Sequence, residues 1–320
     1  MHSPLVSVVI PAHNAAPWIV ETVQSVCRQS WVNLEVIVVD DGSTDSSAEQ
    51  IRGIADERVR LLRQQNAGAA AARNYGLRES RGDFLQFLDA DDLLSPEKIA
   101  SQIAVLDNSP PRAVASCAWY PFSGHVSSAE RNTENVWNES DPVRWLVRSL
   151  AGEGMMQTAC WLLPRSVVND AGPWNETLSL HDDGEYFARI LVNAAKNVFV
   201  DGPAVFYRRS PGSLSRQRGR PGAESALSVC FLQEATLLGV RDSEEVRSAV
   251  ATRYAQFAYE FASAHPDLGQ VALRHLEHLA QPSNSIGGLA FRSIVALAGF
   301  RVALRLRLRL RAEQGIFRNG

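Results

Sequence analysis

The chain has 320 residues, 21% of them charged and 45% hydrophobic, with a formal net charge of −3. That length supports one large domain or two ordinary ones, with a core that needs no disulfide or metal staple. The ordinary charged fraction excludes wholesale disorder and an overall basic nucleic-acid surface, so no nucleic-acid partner is expected. The charge is nevertheless segregated. Residues 286–320 hold seven arginines against one acid, Glu313, a balance of +6; the other 285 residues hold 25 basic and 34 acidic groups, a balance of −9. A basic tail on an acidic body points to an anionic partner for the tail. Only Lys98 and Lys196 among the 32 basic residues are lysines, a bias expected from genome base composition.

The first apolar run, Leu5 to Ile10, is short and no cationic segment precedes it, so no secretory signal is expected. No stretch reaches the roughly 18 apolar residues of a membrane span. Cys27, Cys117, Cys160 and Cys230 are scattered without metal-ligand spacing and read as small buried hydrophobes of a reducing compartment. A cytoplasmic protein is expected, with the tail as its one element for peripheral membrane contact.

In chain order, Val6 to Pro11 is a β-rich run that stops at a proline and reads as a buried strand. Ile19, Val23 and Val26 mark one face of a helix reaching about Ser30. Leu34 to Asp40 is a second buried strand of parallel-sheet type. Ser43 to Ala55, rich in capping residues, predicts a helix. Val59 to Leu62 is a third strand, Gly68 to Glu79 an alanine-rich helix, Asp83 to Leu88 a fourth strand, and Ser95-Pro-Glu97 opens another helix. Four strand–helix alternations with short connections define an α/β domain on a mostly parallel sheet. Beyond about residue 112 the pattern loosens. Strands are predicted over 113–120, 156–163, 197–200 and 204–208, and a helix over 182–195. Residues 121–140 are polar and weakly periodic, 208–222 read as an Arg/Ser/Gly/Pro loop, and helices follow from 223.

Open parallel sheets bind ligands beyond the carboxyl ends of their strands. Here those ends carry Pro11-Ala-His-Asn14, Asp40-Asp-Gly-Ser-Thr-Asp45, Asn66-Ala-Gly68 and Asp89-Ala-Asp91-Asp92. Singly each is an ordinary cap or turn; together at one edge they favour a site. Carboxylates crowded on one loop repel unless a hard cation neutralises them, and Mg²⁺ typically takes one or two carboxylates plus substrate phosphates. A strand-end carboxylate such as Asp40 or Asp41 can accept from a base N–H or a ribose hydroxyl. Neither a P-loop nor a Gly-x-Gly-x-x-Gly fingerprint follows the first strand.

Val-Ser-Val-Val-Ile-Pro-Ala-His-Asn, Val-Val-Asp-Asp-Gly-Ser-Thr-Asp, Asn-Ala-Gly-(Ala)₄-Arg-Asn and Phe-Leu-Asp-Ala-Asp-Asp, in this order and spacing, resemble family 2 glycosyltransferases. The resemblance covers about 1–215. It implies a GT-A fold, a Rossmann-like, mostly parallel sheet flanked by helices. It also implies an inverting, metal-dependent transfer from a nucleotide-sugar donor, most often a UDP-sugar, to a carbohydrate or lipid-linked acceptor in polysaccharide or glycoconjugate assembly. Residues 1–111 then form the nucleotide-sugar half and 112–215 the acceptor half, with 216–320 a helical C-terminal region. The resemblance implies a nucleotide pocket at Pro11, Ala12, Asn14 and Asp41, with Asp40 adjacent and Asn66, Gly68 and Arg73 bordering it. Asp89 and Asp91 reach the diphosphate through Mg²⁺ or Mn²⁺, Asp91 as the more direct ligand.

An acceptor hydroxyl must lose a proton as it attacks, which calls for a nearby carboxylate. His181-Asp182-Asp183-Gly-Glu185 resembles the family's acidic pair at a helix start and puts Asp183 at the base position, with Asp182 and then His181 behind it. Members more often have Glu-Asp followed by an aromatic; here Gly184 follows. Trp174 is either an acceptor-stacking ring or a core residue. Arg208 and Arg209, in a family-like loop, are candidates to close over the diphosphate as a lid. In the tail, strict Leu/Arg alternation from Leu304 to Arg311 is two-faced as a strand, yet its residues are strong helix formers, so a basic amphipathic helix is expected within 286–312, able to dock on anionic membrane. Two other classes compete. A nucleotidyltransferase usually carries a Gly-rich basic signature after the first strand, absent here. A non-catalytic sugar-nucleotide-binding module sits poorly with intact Asp89, Asp91 and Asp183.

Overall fold

The computed structural model describes residues 3–209 and 219–316. They divide into two compact units. The first comprises residues up to 142, 156–177 and 189–213; the second comprises 143–155, 178–188 and 214 onward. This differs from a single cut near 215, since two short stretches of the expected acceptor half group with the C-terminal helices.

The first unit is built on a five-stranded sheet of order β3-β2-β1-β4-β7. Its strands are β1 (Val6–Ala12), β2 (Leu34–Asp41), β3 (Val59–Gln64), β4 (Phe84–Phe87) and β7 (Leu163–Pro164). The first four run parallel, and β7 pairs antiparallel with β4. Every residue of β1 and β2 is buried, which is why they read as continuous apolar runs. The helices α1 (Ile19–Cys27), α2 (Ser47–Arg52), α3 (Ala69–Glu79) and α4 (Lys98–Leu106) fill the connections. Helix α2 is shorter than expected. Asp45 accepts from the Ser47 N–H (2.9 Å) and the Ala16 N–H (3.1 Å), so the polar residues before it form a loop rather than a first turn.

Helix α3 lies close on the sheet because its face is made of alanines and Gly76. A Cβ on Gly76 would overlap Val9 Cγ1 and stand 3.2 Å from Val39 Cγ2. Gly76→Ala is therefore expected to destabilise the protein by about 1–3 kcal/mol through overpacking, read as a lowered urea midpoint at unchanged m-value.

A three-stranded sheet, β5 (Leu93–Leu94), β8 (Lys196–Arg208) and β6 (Ala113–Phe122), completes the unit. Strands β6 and β8 are parallel, and their register jumps from Cys117↔Val200 to Ala118↔Ala204. The looped-out residues are Asp201, Gly202 and Pro203, with Gly202 at φ +104. That bulge makes one long strand look like two in the sequence. The strand expected over 156–163 is instead a 3₁₀ turn, Thr158–Cys160, followed by two-residue β7 and helix α6 (Arg165–Ala171). Its apolar residues are buried all round, so periodicity carried no information about their conformation.

One of the two lysines ties this region together. Lys98 is buried, and burial lowers its pKa to about 8. Its Nζ donates to Gln86 Oε1, and Gln86 Nε2 donates to the carbonyls of Phe87 (2.7 Å) and Ala159 (2.8 Å).

The second unit contains most of α5 (Pro142–Leu150), the start of α7 (Asp182–Asn193), and α8 (Arg220–Val240), α9 (Glu244–Phe261), α10 (Pro266–His275), α11 (Leu289–Ala298) and α12 (Phe300–Ile316). The tail is helical, as its composition predicted. Among the described residues no helix is long and apolar enough to cross a membrane, and all four cysteines are free.

Candidate active site

The parallel strands of the first unit end at one edge. Pro11 and Ala12 belong to β1 and are buried; they pair in register with Val39 and Asp40. The first open residues are His13 and Asn14. His13 Nδ1 lies 2.8 Å from the Asp41 carbonyl, and its ring nitrogens lie 3.2 Å from Asn66 Nδ2 and from Asn14 Nδ2. Asn14 receives the Thr44 N–H on its side-chain oxygen (2.9 Å), and its own N–H donates to Ser43 Oγ (3.0 Å). His13 is thus the hub of an exposed polar rim that includes Asn14 and Asn66. It was visible in the strand-end tetrad, but no simple chemistry singled it out.

The two acids of β2 are spent differently. Asp40 has no exposure; it pairs with Arg63 Nε at 2.8 Å and accepts the Ser43 N–H at 3.1 Å. A carboxylate so enclosed holds the turn, which corrects the expectation that it meets the nucleotide. Asp41 is 3% exposed and accepts from Ala67 N–H (2.9 Å), Gly68 N–H (2.8 Å) and Gln64 Nε2 (2.7 Å). It fixes the Asn66–Gly68 loop, whose residues are exposed at the same edge.

The Asp89-Ala-Asp91-Asp92 loop is held from two sides. Arg73, buried on α3, donates to Asp89 Oδ1 at 2.8 Å. From β8, the Arg208 N–H donates to Asp92 Oδ1 (2.9 Å) and its Nε to the Asp91 carbonyl (2.8 Å). Its other nitrogens reach the Gly124 carbonyl (2.9 Å) and Glu21 (2.6 Å), and the guanidinium lies 4.4 Å from the Phe122 ring centroid. Thr22 Oγ1 adds a bond to the Ala90 carbonyl at 2.9 Å. Arg208 is therefore a structural clamp beneath the loop, and the lid expectation is corrected for it: it is 6% exposed, and each guanidinium nitrogen donates to a protein oxygen rather than facing the open edge. Arg209 is exposed and pairs with Glu130 at 3.3 Å. The rest of the expected lid, 210–218, lies outside the described residues.

Burial pushes the Asp92 carboxyl well above the usual carboxylate range, and the negative charges of Asp89 and Asp91 push it further. That concentration of negative charge, with Asp89 and Asp91 partly exposed, suits a hard divalent cation bound by one or two carboxylates and completed by phosphate oxygens. Among the described residues no three acidic, His or Cys side chains converge as a complete protein cage.

Trp174 is core rather than a sugar platform, which corrects its acceptor assignment. It is 1% exposed, packs edge-on against Phe87 (centroids 5.2 Å apart, 82°), and lies beneath the Arg73 guanidinium at 4.5 Å. Asn74 clamps its backbone, accepting the Trp174 N–H (2.8 Å) and donating to its carbonyl (2.9 Å). The Arg-Asn pair and the Gly-Pro-Trp segment are thus one device that aims Arg73 at Asp89.

In the second unit, Asp182 and Asp183 open α7 and are partly exposed. His181 precedes them at φ +60, a conformation rare for a non-glycine residue. Helix α8 braces this turn on both sides. Ser225 Oγ accepts the N–H groups of Ser179 and Leu180, each at 3.0 Å, and donates to the Leu180 carbonyl at 2.9 Å. Gln233 Nε2 donates to the Gly184 carbonyl at 2.9 Å and would stand 3.3 Å from any Cβ there. A side chain at 184 would have to displace the end of Gln233 by a few tenths of an ångström.

The sequence pattern described as Glycosyl transferase family 2 matches residues 7–172. The chain belongs to that family. Glycosyltransferase GlyG of Streptococcus pneumoniae is 29% identical over 222 residues, 67% of this chain and 74% of that protein. The uncharacterized glycosyltransferase EpsJ of Bacillus subtilis is 40% identical over 230 residues, 70% and 67% of the two chains. Other curated relatives, from Haemophilus influenzae and Rickettsia felis, are matched over less than half of their own length. The fold is that of Staphylococcus aureus TarS 1–349, solved in complex with UDP-GlcNAc: TM-score 0.62 at 16% identity, over 85% of this chain and 88% of that 1–349 fragment. The protein is a family 2 glycosyltransferase with the mixed α/β, mostly parallel GT-A architecture.

Proposed function

We propose that this glycosyltransferase moves a sugar from a nucleoside diphosphate, UDP by preference, to an acceptor hydroxyl with inversion at the anomeric carbon. The observation that carries the reading is the Asp89–Asp92 loop, gripped by Arg73 and Arg208 at the carboxyl edge of the parallel sheet. Edge and loop together offer a nucleoside rim (His13, Asn14, Asn66, Gly68) and an acidic end for the diphosphate. Asp91, with Asp89 behind it, would hold Mg²⁺ or Mn²⁺, which supplies positive charge to the departing diphosphate. Arg73 keeps Asp89 oriented and balances its charge. Asp183 takes the acceptor proton, its carboxylate placed by the braced start of α7. The TarS complex with UDP-GlcNAc supports a UDP-sugar donor. The Bacillus subtilis relative TuaG, named for teichuronic acid biosynthesis, supports an envelope polysaccharide role.

A thermal-shift panel of UDP-, GDP- and dTDP-sugars, with and without Mn²⁺, tests the donor reading. A ligand at a hundred times its Kd stabilises by about 2.7 kcal/mol, several degrees in Tm. The expected result is a Mn²⁺-dependent shift with a UDP-sugar. No shift with any nucleotide would overturn the reading.

A further inference from the structure

We propose that α11 and α12 form a docking face for an anionic lipid bilayer. In α11, Leu289 and Leu297 are 81% and 88% exposed, Ala290, Ala296 and Ala298 are also exposed, and only Phe291 is buried. An apolar helix left this bare is unusual for a purely soluble surface. In α12, the Leu/Arg alternation sorts into stripes. Phe300, Ala303 and Leu304 are buried against the fold. The exposed half carries Arg301, Arg305 and Arg309 at four-residue spacing, and beside them Val302, Leu306 and Leu310 at the same spacing. Helical spacing of four puts each trio in one row, so a cationic row flanks an apolar row.

Arg307 falls on the inward half and is absorbed by the protein. It stacks 3.6 Å from the Tyr259 ring centroid and donates to the Tyr259 carbonyl at 2.7 Å. Arg305 and Arg309 form no ion pair among the described residues. A notch of about 100 Å³ beside them has Arg274, Arg301 and Arg305 in its lining, with Glu277 at Arg301, and suits a headgroup phosphate. No acidic residue occurs between 286 and 312. Apolar side chains entering the acyl boundary while arginines meet the headgroups is the physics of an interfacial helix. Charge complementarity therefore selects anionic lipid over a neutral partner or a second, equally basic copy of this face.

The test is co-sedimentation of the full chain with vesicles of phosphatidylcholine alone and of phosphatidylcholine mixed with phosphatidylglycerol. Binding is expected to the anionic vesicles only and to weaken with salt. Each arginine near a charged surface contributes about fivefold. Arg305→Glu with Arg309→Glu should thus lower partitioning more than tenfold, and Leu289→Ser with Leu297→Ser should weaken it as well. The donor-dependent thermal shift of these variants should match that of the unaltered protein, so this proposal and the donor reading fail separately. Equal binding to both vesicle types, or no effect of the charge reversal, would overturn it. So would concentration-dependent self-association, abolished by Leu297→Ser, in a protein that ignores vesicles.

Discussion

Asp183→Asn is expected to cost about 10²–10⁴-fold in kcat while leaving donor affinity and fold intact. In a single displacement the acceptor oxygen gains positive character as it bonds to the anomeric carbon, so its proton must leave in the same step. Asparagine keeps the shape of aspartate but cannot take that proton. The partly exposed Asp183 side chain should tolerate the change: its Oδ1 accepts the Gly184 N–H at 2.8 Å, a bond an asparagine oxygen can keep, and α8 braces the turn through the backbone of Ser179, Leu180 and Gly184. Asp182→Asn, on the neighbouring position, serves as the comparison and should lose far less. The measurement is sugar transfer under saturating donor, paired with the thermal shift of the donor alone. Transfer by Asp183→Asn at the unaltered rate would remove Asp183 from the mechanism, and a larger loss from Asp182→Asn would move the base to that residue.

What the sequence disclosed and what it concealed differ for a physical reason. Buried parallel strands demand continuous apolar runs, so β1 and β2 were legible within a residue or so. Loop chemistry at their ends was legible as a set of polar clusters, but not what each buried carboxylate holds. Asp40 and Asp41 are adjacent and chemically identical, and what separates their roles is Arg63, which arrives from another strand and encloses Asp40. Trp174 was equally open to two readings until Asn74 and Arg73, a hundred residues away, closed on it. The same holds for the tail. Composition indicated a helix, yet arginines spread over more than half of its circumference hid the stripes, which emerge only once burial of Phe300 and Leu304 fixes the helix rotation. Local propensity is written in neighbours along the chain; these assignments were decided by neighbours in space.

Arg208→Met should be the most damaging single change at the donor edge, through the loop it supports. Its guanidinium satisfies two backbone carbonyls, those of Asp91 and Gly124, and pairs with Glu21. Methionine fills a similar volume against Phe122 but leaves both carbonyls without their donor, at about 1–3 kcal/mol each where water cannot replace it. A loss of about 3 kcal/mol or more is therefore expected in urea unfolding. The loop should also loosen enough to abolish any Mn²⁺-dependent donor shift, since Asp91 is held through its backbone by this side chain. Arg209→Met is the contrast: its exposed pair with Glu130 at 3.3 Å should leave stability within about 0.5 kcal/mol. A mobile lid would behave in the opposite way. In that case Arg208→Met would reduce kcat/KM with stability unchanged, because a residue that closes only on bound diphosphate contributes nothing to the free protein. Stability and activity falling together would instead place Arg208, on β8, with Arg73, on α3, as one of two cationic supports that let Asp89, Asp91 and Asp92 share a short loop.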